Sequence, residues 1–239
     1  MSETSRLVGR TALVTGTSRG IGRQVAESLA EEGARVWALA RSKDALAELE
    51  GACGAEPVVA DLTDDTATWL ALDELQDASG GAPDIVVNAA GVFGIQSCAE
   101  ATVKSFDAHL AVNLRGPFLV IRALLPSMLE RGSGLLINVG SVAGRHAFPG
   151  NAAYSASKFG LRGFHEVLLE ELKGTGLGAS LIEPAATDTP LWDPLDPDSD
   201  PDLPDRAAML GATDVAEAVV FVATRPVGVN IPLLQVERR

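Results

Sequence analysis

The sequence predicts a single α/β domain, a doubly wound sandwich in which helices flank a seven-stranded parallel sheet. Its 239 residues suit one large domain better than two small ones, and an apolar fraction of 46% can fill a sizeable core. Apolar runs rich in β-branched residues alternate with longer amphipathic stretches along the chain. Runs that are apolar throughout are typical of parallel strands covered on both faces. Two βαβαβ halves in succession therefore predict a Rossmann-type domain over residues 1–239.

The elements follow from this alternation in chain order. The predicted strands are Thr11–Thr15, Arg35–Ala40, Ala55–Ala60, Asp84–Ala89, Gly134–Gly140, Leu177–Glu183 and, with the weakest pattern, Gly228–Val236. The predicted helices are Ile21–Glu32, Lys43–Glu50, Asp65–Ala78, Val103–Arg131, Ala152–Gly174 and Thr213–Thr224.

Composition excludes several classes of function. The formal net charge of −13 argues against nucleic acid and against anionic lipid as partners. No apolar run approaches the length that spans a bilayer, and the first residues lack the pattern of a signal peptide. Cys53 and Cys98 have neither metal-ligand spacing nor the number needed for a disulfide framework. We expect a cytoplasmic protein that binds no metal, nucleic acid or membrane.

One segment, residues 188–206, departs from the alternation of strands and helices. It contains seven Asp and five Pro, a density that disfavours both helix and strand. It lies between the sixth strand and the last helix, where a long loop is often functional. The sequence leaves two interpretations open, a substrate lid and a plain surface insertion.

A glycine-rich turn directly follows the first strand. Glycines there let the chain turn sharply and let the backbone approach a pyrophosphate at the helix N-terminus. The position after the first strand of an alternating chain makes this a strong signal for a dinucleotide. The candidate phosphate-binding residues are Gly16, Ser18, Arg19, Gly20, Ile21 and Gly22.

The end of the second strand favours NADP(H) over NAD(H). An NAD site usually offers Asp or Glu about twenty residues after the glycine motif, whereas Ala40 stands here, followed by Arg41 and Ser42. A guanidinium suits a 2′-phosphate, and Arg19 can reach the same group. After the third strand, Asp61 and Leu62 are candidates for the adenine side, although Asp61 is equally well placed to cap a helix.

Tyr154 and Lys158 are the candidate proton-transfer pair. Their four-residue spacing on a predicted helix puts phenol and ammonium on one face. A nearby cation lowers the pKa of a phenol, so that it can accept a proton from an alcohol or donate one to a developing alkoxide. Ser141 ends the fifth strand, at the sheet edge that lines a ligand crevice, and can bind the same substrate oxygen.

Together these motifs resemble the short-chain dehydrogenase/reductase family over nearly the whole chain, from Thr11 to about Val236. The shared marks are Thr15–Gly22, Asp61, Asn88-Ala89-Ala90-Gly91, Asn113, Ser141, Tyr154-x-x-x-Lys158, Pro184 and Thr189. Two departures are Ala89 in place of a frequent second Asn, and Ala185 in place of a frequent Gly. They put cofactor affinity in doubt rather than proton transfer.

The resemblance implies a role for each matching residue. Tyr154 would be the general acid/base, Ser141 would hold the reacting oxygen, and Lys158 would bind the nicotinamide ribose. Asn113 would hold a water linked to Lys158. Further cofactor contacts would come from Asn88, Ala90, Pro184, Thr187 and Thr189. The implied activity is hydride transfer between NADP(H) and a small-molecule carbonyl or secondary alcohol, by a homodimer or homotetramer built through the two longest helices.

The far side of the predicted cleft is mostly apolar, which suits a hydrophobic or aromatic carbonyl compound. The candidate substrate residues are Phe93, Ala143, His146, Phe148 and Trp192, with Val92 and Leu191 beside them. For His146 we favour the interpretation as an ordinary surface or loop histidine. A second hypothesis is a non-catalytic regulator that senses NADP(H), and a methyltransferase is a weaker third; the set Ser141, Tyr154 and Lys158 argues against both.

Overall fold

A computed structural model describes residues 5–239 and has a seven-stranded sheet with helices on both faces. The strands are β1 Thr11–Thr15, β2 Arg35–Ala40, β3 Glu56–Val59, β4 Ile85–Asn88, β5 Gly134–Val139, β6 Leu177–Pro184, β7 Thr187–Asp188, β8 Leu210–Gly211 and β9 Leu233–Val236. The helices are α1 Gly20–Glu31, α2 Lys43–Cys53, α3 Asp65–Ser79, α4 Val103–Leu110, α5 Gly116–Arg131, α6 Ala152–Glu171 and α7 Ala212–Ala223.

The strand order confirms the predicted fold class. It is β3-β2-β1-β4-β5-β6-β9, and every neighbouring pair is parallel. The direction of winding reverses between β1 and β4, and ligands of such sheets bind in the crevice outside the carboxyl ends of the strands at that point.

Two apolar layers, one on each face of the sheet, follow from the alternation of side chains along a strand. In β1, Ala12 and Val14 pack into the layer that includes Leu29 of α1 and Val219 of α7. Leu13 points to the opposite layer, with residues of α3, α5 and α6. Because both faces are covered, successive residues of the central strands are buried and mostly apolar, which is the pattern that predicted a parallel sheet.

The largest differences from the predicted elements lie at the end of the chain and in residues 188–206. The predicted strand Gly228–Val236 begins only at Leu233, because Gly228 adopts a φ of 91° and Pro232 has no N–H to give to the sheet. Asp188 lies in β7, which pairs with β8 in a separate two-stranded ribbon that was not predicted. Between them, single 3₁₀ turns form at Asp193–Leu195, Pro197–Ser199 and Arg206–Ala208.

The predicted helix Val103–Arg131 is continuous but not uniform, since a π-helical turn, Ala111–Arg115, joins α4 to α5. This 29-residue stretch has a mean hydropathy of 1.2 over its most apolar window, long and apolar enough by composition to cross a bilayer. The prediction that no apolar run approaches the length of a membrane span is therefore wrong for this helix. In the fold, Val120, Ile121 and Leu124 are buried against the sheet, as in a core helix.

The carboxyl-terminal residues return to the edge of the domain where the ribbon and the loop after β5 lie. Glu237 forms an ion pair with Arg145, which also lies 3.3 Å from the buried carboxylate of Glu183. Arg238 donates from Nη1 to the carbonyl oxygen of Met209 at 2.9 Å. The last residues thus connect the loop after β5 to the end of the Asp/Pro-rich segment.

Candidate active site

An open cleft follows the carboxyl ends of β1 to β4, where the reversal of strand order predicts a ligand. It is lined by Gly16, Ser18, Arg19, Gly20, Ile21, Gly22, Leu39, Ala40, Arg41, Ala60, Asp61, Leu62, Ala89, Ala90, Gly91, Val92, Phe93, Val112, Thr189, Pro190, Leu191 and Pro194. All six glycine-loop residues singled out from the sequence therefore line one cleft, together with Arg41, Asp61, Leu62, Ala90 and Thr189.

The loop after β1 requires glycine at two positions, because a side chain would have no room there. Gly16 has a φ of 76°, and a Cβ there would lie 2.5 Å from Cα of Ala90. A Cβ on Gly22 would lie 2.4 Å from the carbonyl oxygen of Gly16. These contacts bring β1, the start of α1 and the end of β4 together closely enough to form one wall of the cleft.

The amino-terminal end of α1 is suited to an anion. Arg19 is its N-cap residue but makes no side-chain cap hydrogen bond, and the first turn contains no acidic residue. Backbone N–H groups at a helix start lack partners within the helix and, with the helix dipole, attract a phosphate. The residues present thus fit the pyrophosphate of a dinucleotide.

Arg41 and Asp61 face each other across the far end of the cleft, 3.7 Å apart. Although burial acts to raise it, hydrogen bonds from Thr63 and the charge of Arg41 hold the pKa of Asp61 below its usual value. Asp61 accepts from the backbone N–H of Thr63 at 2.9 Å, whereas the N-cap of α3 is Asp64. The helix-cap interpretation of Asp61 is therefore wrong.

Six of the predicted cofactor residues are not among those that line the cleft: Tyr154, Lys158 and four others. The hydroxyl of Ser42 caps α2 by accepting from the N–H of Ala45. Asn88 is buried and donates from Nδ2 to Oδ1 of Asn138 at 3.0 Å. Thr187 donates to the carbonyl oxygen of Ala185, and Pro184 lies within β6. In each of these four cases local structure already uses the group that the sequence offered to a ligand.

Ser141 and Tyr154 lie together beside this cleft. Ser141 lies just beyond the end of β5 as the N-cap of a 3₁₀ turn, Val142–Gly144, and its Oγ accepts from the N–H of Ala143 at 3.1 Å. Burial raises the pKa of Tyr154, and its hydrogen bond with Ser141 acts in the opposite direction. The sequence suggested that a nearby cation lowers the pKa of this phenol, whereas burial acts in the opposite direction.

Lys158 explains this difference. Its ammonium lies 5.7 Å from the centre of the Tyr154 ring and donates to the carbonyl oxygen of Val139 at 2.9 Å. The side chain is buried, and this burial lowers the pKa of Lys158 to about 8. The predicted neighbours are therefore together, but a strand end holds the cation and burial dominates at the phenol.

Asn113 lies in the π-helical turn and is fully buried. Its Oδ1 accepts from the N–H of Val92 at 2.8 Å, while Nδ2 donates to the carbonyl oxygen of Val92 and to Oγ of Ser157, both at 3.0 Å. The amide thus joins the loop after β4 to α6 close to Lys158. These bonds fix the position of the Asn113 side chain between the two elements.

Two aromatic side chains form a stack that begins on the phenol ring. Phe93 stands edge-on to Tyr154 with ring centres 4.8 Å apart, and Trp192 stands edge-on to Phe93 at the same distance. Because Trp192 belongs to the Asp/Pro-rich segment, that segment reaches the candidate proton-transfer residue through one intermediate ring. Edge-to-face pairs of this kind stabilise a packed arrangement.

The other predicted substrate residues are distributed differently. Ala143 is buried beside Ser141. His146 and Phe148 are exposed on the loop after β5, where Nε2 of His146 lies 2.5 Å from Nη1 of Arg145. The interpretation of His146 as a loop histidine agrees with this position.

His109 is a residue of the site that the sequence did not indicate. It lies in the last turn of α4, is buried, and its ring centre is 6.3 Å from that of Tyr154 at 78°. One histidine in a helical pattern carries no signal of its own. Its sequence distance of four from Asn113, which is one helical turn, is the clue that could have directed attention to it.

The Asp/Pro-rich segment is fastened by Arg206. Its guanidinium donates to Asp188 at 2.5 Å and to Asp193 at 2.7 Å, and its backbone N–H donates to Asp198. Thr189 and Pro190 pack against Gly20 in the glycine loop. The segment therefore forms one side of the cleft rather than a projection from the surface.

Comparison with known protein families and structures agrees with this geometry. The sequence model of the family described as short chain dehydrogenase matches residues 10–200. The chain is 39% identical over 191 residues to 2-dehydro-3-deoxy-L-rhamnonate dehydrogenase (NAD(+)) of Sphingomonas sp. strain SKA58, covering 80% of this chain and 77% of that protein. It is 37% identical to D-threitol dehydrogenase of Mycolicibacterium smegmatis, covering 92% of this chain and 87% of that protein.

A solved structure of similar shape comes from a metagenomic short-chain oxidoreductase in complex with NADP. It superimposes with a TM-score of 0.83 at 32% sequence identity, covering 98% of this chain and 99% of that one.

Proposed function

The chain belongs to the short-chain dehydrogenase/reductase family, and on that premise we propose that it transfers a hydride between NADP(H) and a small carbonyl compound or secondary alcohol. The observation that carries the proposal is the meeting of Ser141, Tyr154 and Lys158 at the end of β5, beside a cleft whose walls suit a dinucleotide. A nicotinamide bound there supplies the hydride in reduction and accepts it in oxidation.

The residues of the chain handle the proton and the reacting oxygen. Tyr154 donates its phenolic proton to the oxygen of a carbonyl substrate as that oxygen gains negative charge, and it takes the proton back in the opposite direction. Ser141 holds the same oxygen. Lys158 compensates the negative charge that the phenol acquires, since its ammonium lies 5.7 Å from the ring centre.

NADP(H) is the preferred cofactor in this proposal. Ala40 leaves the end of β2 without a carboxylate, and the exposed guanidinium of Arg41 stands at the cleft, where a 2′-phosphate displaces its long contact of 3.7 Å with Asp61. Arg19 stands on the same side of the loop. The relative from Sphingomonas is named for NAD(+), whereas the similar solved structure holds NADP, so the preference rests on these residues.

Residues 188–206 act as a lid over the cofactor and substrate. Support comes from Thr189, Pro190, Leu191 and Pro194, which line the cleft, and from the contact of Trp192 with Phe93. The lid reading is preferred over a plain surface insertion because the segment contacts both the glycine loop and the ring that covers the phenol.

The first test is turnover by Tyr154→Phe. A screen of NADPH consumption should begin with small hydroxylated carbonyl compounds, since two relatives are named for threitol and 2-dehydro-3-deoxy-L-rhamnonate. Removing the phenolic proton should reduce kcat by at least about 100-fold, while the Kd for NADPH, measured by fluorescence, changes little. Undiminished turnover in this variant would overturn the proposed mechanism.

The second candidate function is a non-catalytic sensor of NADP(H). The observation that favours it is the packing of Phe93 on Tyr154, which covers the phenol. Tight NADPH binding without consumption in the wild type, over the full panel of ketones, aldehydes and quinones, would support the sensor.

A further inference from the structure

His109 packs against Tyr154 although it belongs to none of the motifs that define the site. Only 6% of its surface is exposed, and the two ring centres are 6.3 Å apart with their planes at 78°. The imidazole therefore lies edge-to-face beside the phenol ring.

The hydrogen bonding of His109 determines the state of its two nitrogens. Nδ1 lies 2.7 Å from the backbone carbonyl oxygen of Ser105, which can only accept, so Nδ1 carries the proton. In the neutral ring Nε2 is then an acceptor with a free lone pair. Within residues 5–239 this atom is buried and has no hydrogen-bond partner.

An unpaired buried acceptor destabilises a fold, because it has lost its bond to water without gaining another. Leu or Phe could fill the same space without that penalty. His165 shows the contrasting arrangement: its Nε2 lies 3.0 Å from the carbonyl oxygen of Pro232 and its Nδ1 3.4 Å from Nδ2 of Asn138. The nitrogens of His165 are satisfied by the fold, whereas Nε2 of His109 is unpaired within residues 5–239.

The position of His109 limits which group can reach it. Tyr154 must contact the oxygen on the carbon that gains or loses the hydride, and His109 packs on the same ring. A donor that reaches Nε2 must consequently lie within a few bonds of that carbon, and a hydroxyl on the adjacent carbon satisfies this requirement.

We propose that Nε2 of His109 accepts a hydrogen bond from a second hydroxyl of the substrate, adjacent to the reacting carbon. This assignment rests on the proposed hydride transfer and narrows its substrate class to α-hydroxy carbonyls and vicinal diols. A compound without the second hydroxyl leaves Nε2 unpaired and gains nothing from this contact.

The test compares matched pairs of ketones, acetoin with butanone and hydroxyacetone with acetone. The wild type should have a kcat/KM at least about tenfold higher for the hydroxylated member of each pair. This ratio corresponds to the free energy of one buried hydrogen bond. His109→Leu should abolish this ratio by lowering only the hydroxylated member, and His109→Gln, which keeps an acceptor, should retain part of it. His165→Leu is the matched control and should leave the ratio unchanged.

Two results would overturn the inference: a wild type that does not prefer the hydroxylated member of any pair, or an equal loss for both members in His109→Leu. The imidazole NMR signals of His109 separate this inference from the proposed reaction. In the NADP⁺-loaded wild type, the vicinal diol butane-2,3-diol should shift the Nε2 signal of His109, and the secondary alcohol butan-2-ol should not. If no ketone is consumed, the proposed function fails, and the presence or absence of that shift alone upholds or overturns the role of His109.

Discussion

Tyr154 lies in an environment that favours its neutral form. Burial raises its pKa, Phe93 and His109 pack on its ring, and the ammonium of Lys158 is engaged by the carbonyl oxygen of Val139. A neutral phenol is the form required to donate a proton to a carbonyl substrate. Accepting a proton from an alcohol requires an additional positive charge nearby, which the oxidised nicotinamide contributes in the proposed reaction.

Lys158 makes stability depend on pH. Its pKa in the folded chain is about 8 against a reference value of 10.5, so between these values the unfolded chain binds more protons and rising pH stabilises the fold. Lys158→Met should be more stable than the wild type at neutral pH, by up to about 3 kcal/mol less the lost bond to Val139. The advantage should shrink as the pH rises from about 8 to 10.5.

Urea unfolding of both proteins at neutral pH and near pH 10.5 measures this difference in stability. Lys173→Met, which removes an exposed lysine, is the control and should show no such trend. A Lys158→Met variant less stable than the wild type at neutral pH would contradict the prediction.

Arg41 should determine the choice between the two nicotinamide cofactors. Arg41→Ala removes the guanidinium proposed for the 2′-phosphate, so the Kd for NADPH should rise about tenfold while that for NADH stays within about twofold. Asp61→Asn, which removes the present partner of Arg41, should tighten NADPH binding. Fluorescence titration measures both, with Lys173→Ala as a charge-matched control, and tighter binding of NADH than of NADPH by the wild type would contradict the preference.

At the scale of elements, local patterns predicted much more than distant contacts did. The glycine turn after β1 and the four-residue spacing in α6 are local, and both sets of residues lie where the sequence placed them. The ribbon of β7 and β8 joins residues more than twenty positions apart, with no periodic pattern to reveal it. The paired ion pairs of Arg206 and the unpaired nitrogen of His109 depend on how separate elements pack. A single sequence does not encode such packing as a motif.

The proposed lid should become more mobile when the ion pairs of Arg206 with Asp188 and Asp193 are removed. Arg206→Gln and Asp193→Asn each remove an ion pair that holds the segment, so NADPH should dissociate several-fold faster in both. Stopped-flow fluorescence measures this rate. Asp202→Asn makes the same charge change at a residue without an ion pair in the described chain and serves as the control. Equal dissociation rates in all four proteins would indicate a fixed surface segment.

At the scale of the whole molecule, the exposed apolar side chains point to self-association. Phe118 on α5 and Phe159 and Val167 on α6 are exposed, although each belongs to a helix that otherwise packs on the sheet. We propose that these helices form the contact of a dimer or tetramer, since large apolar side chains exposed on two long helices are typical of an interaction surface.

Phe159→Glu should therefore reduce the molar mass in solution to that of one chain of 24.8 kDa, because it places a charge in the contact. Light scattering after size exclusion measures the mass. Leu70→Glu, at an exposed position of α3, is the control and should keep the wild-type assembly. A wild type that is already monomeric would contradict the prediction.

The ion pair of Glu237 and the hydrogen bond of Arg238 have a practical consequence for labelling the protein. A fluorophore or affinity label placed next to Glu237 or Arg238 would disturb their contacts with Arg145 and Met209, and through them the loop after β5 and the end of the proposed lid. Such a label would alter measured rates without any change in the proposed catalytic residues. Kinetic comparisons should therefore use proteins in which both contacts are kept.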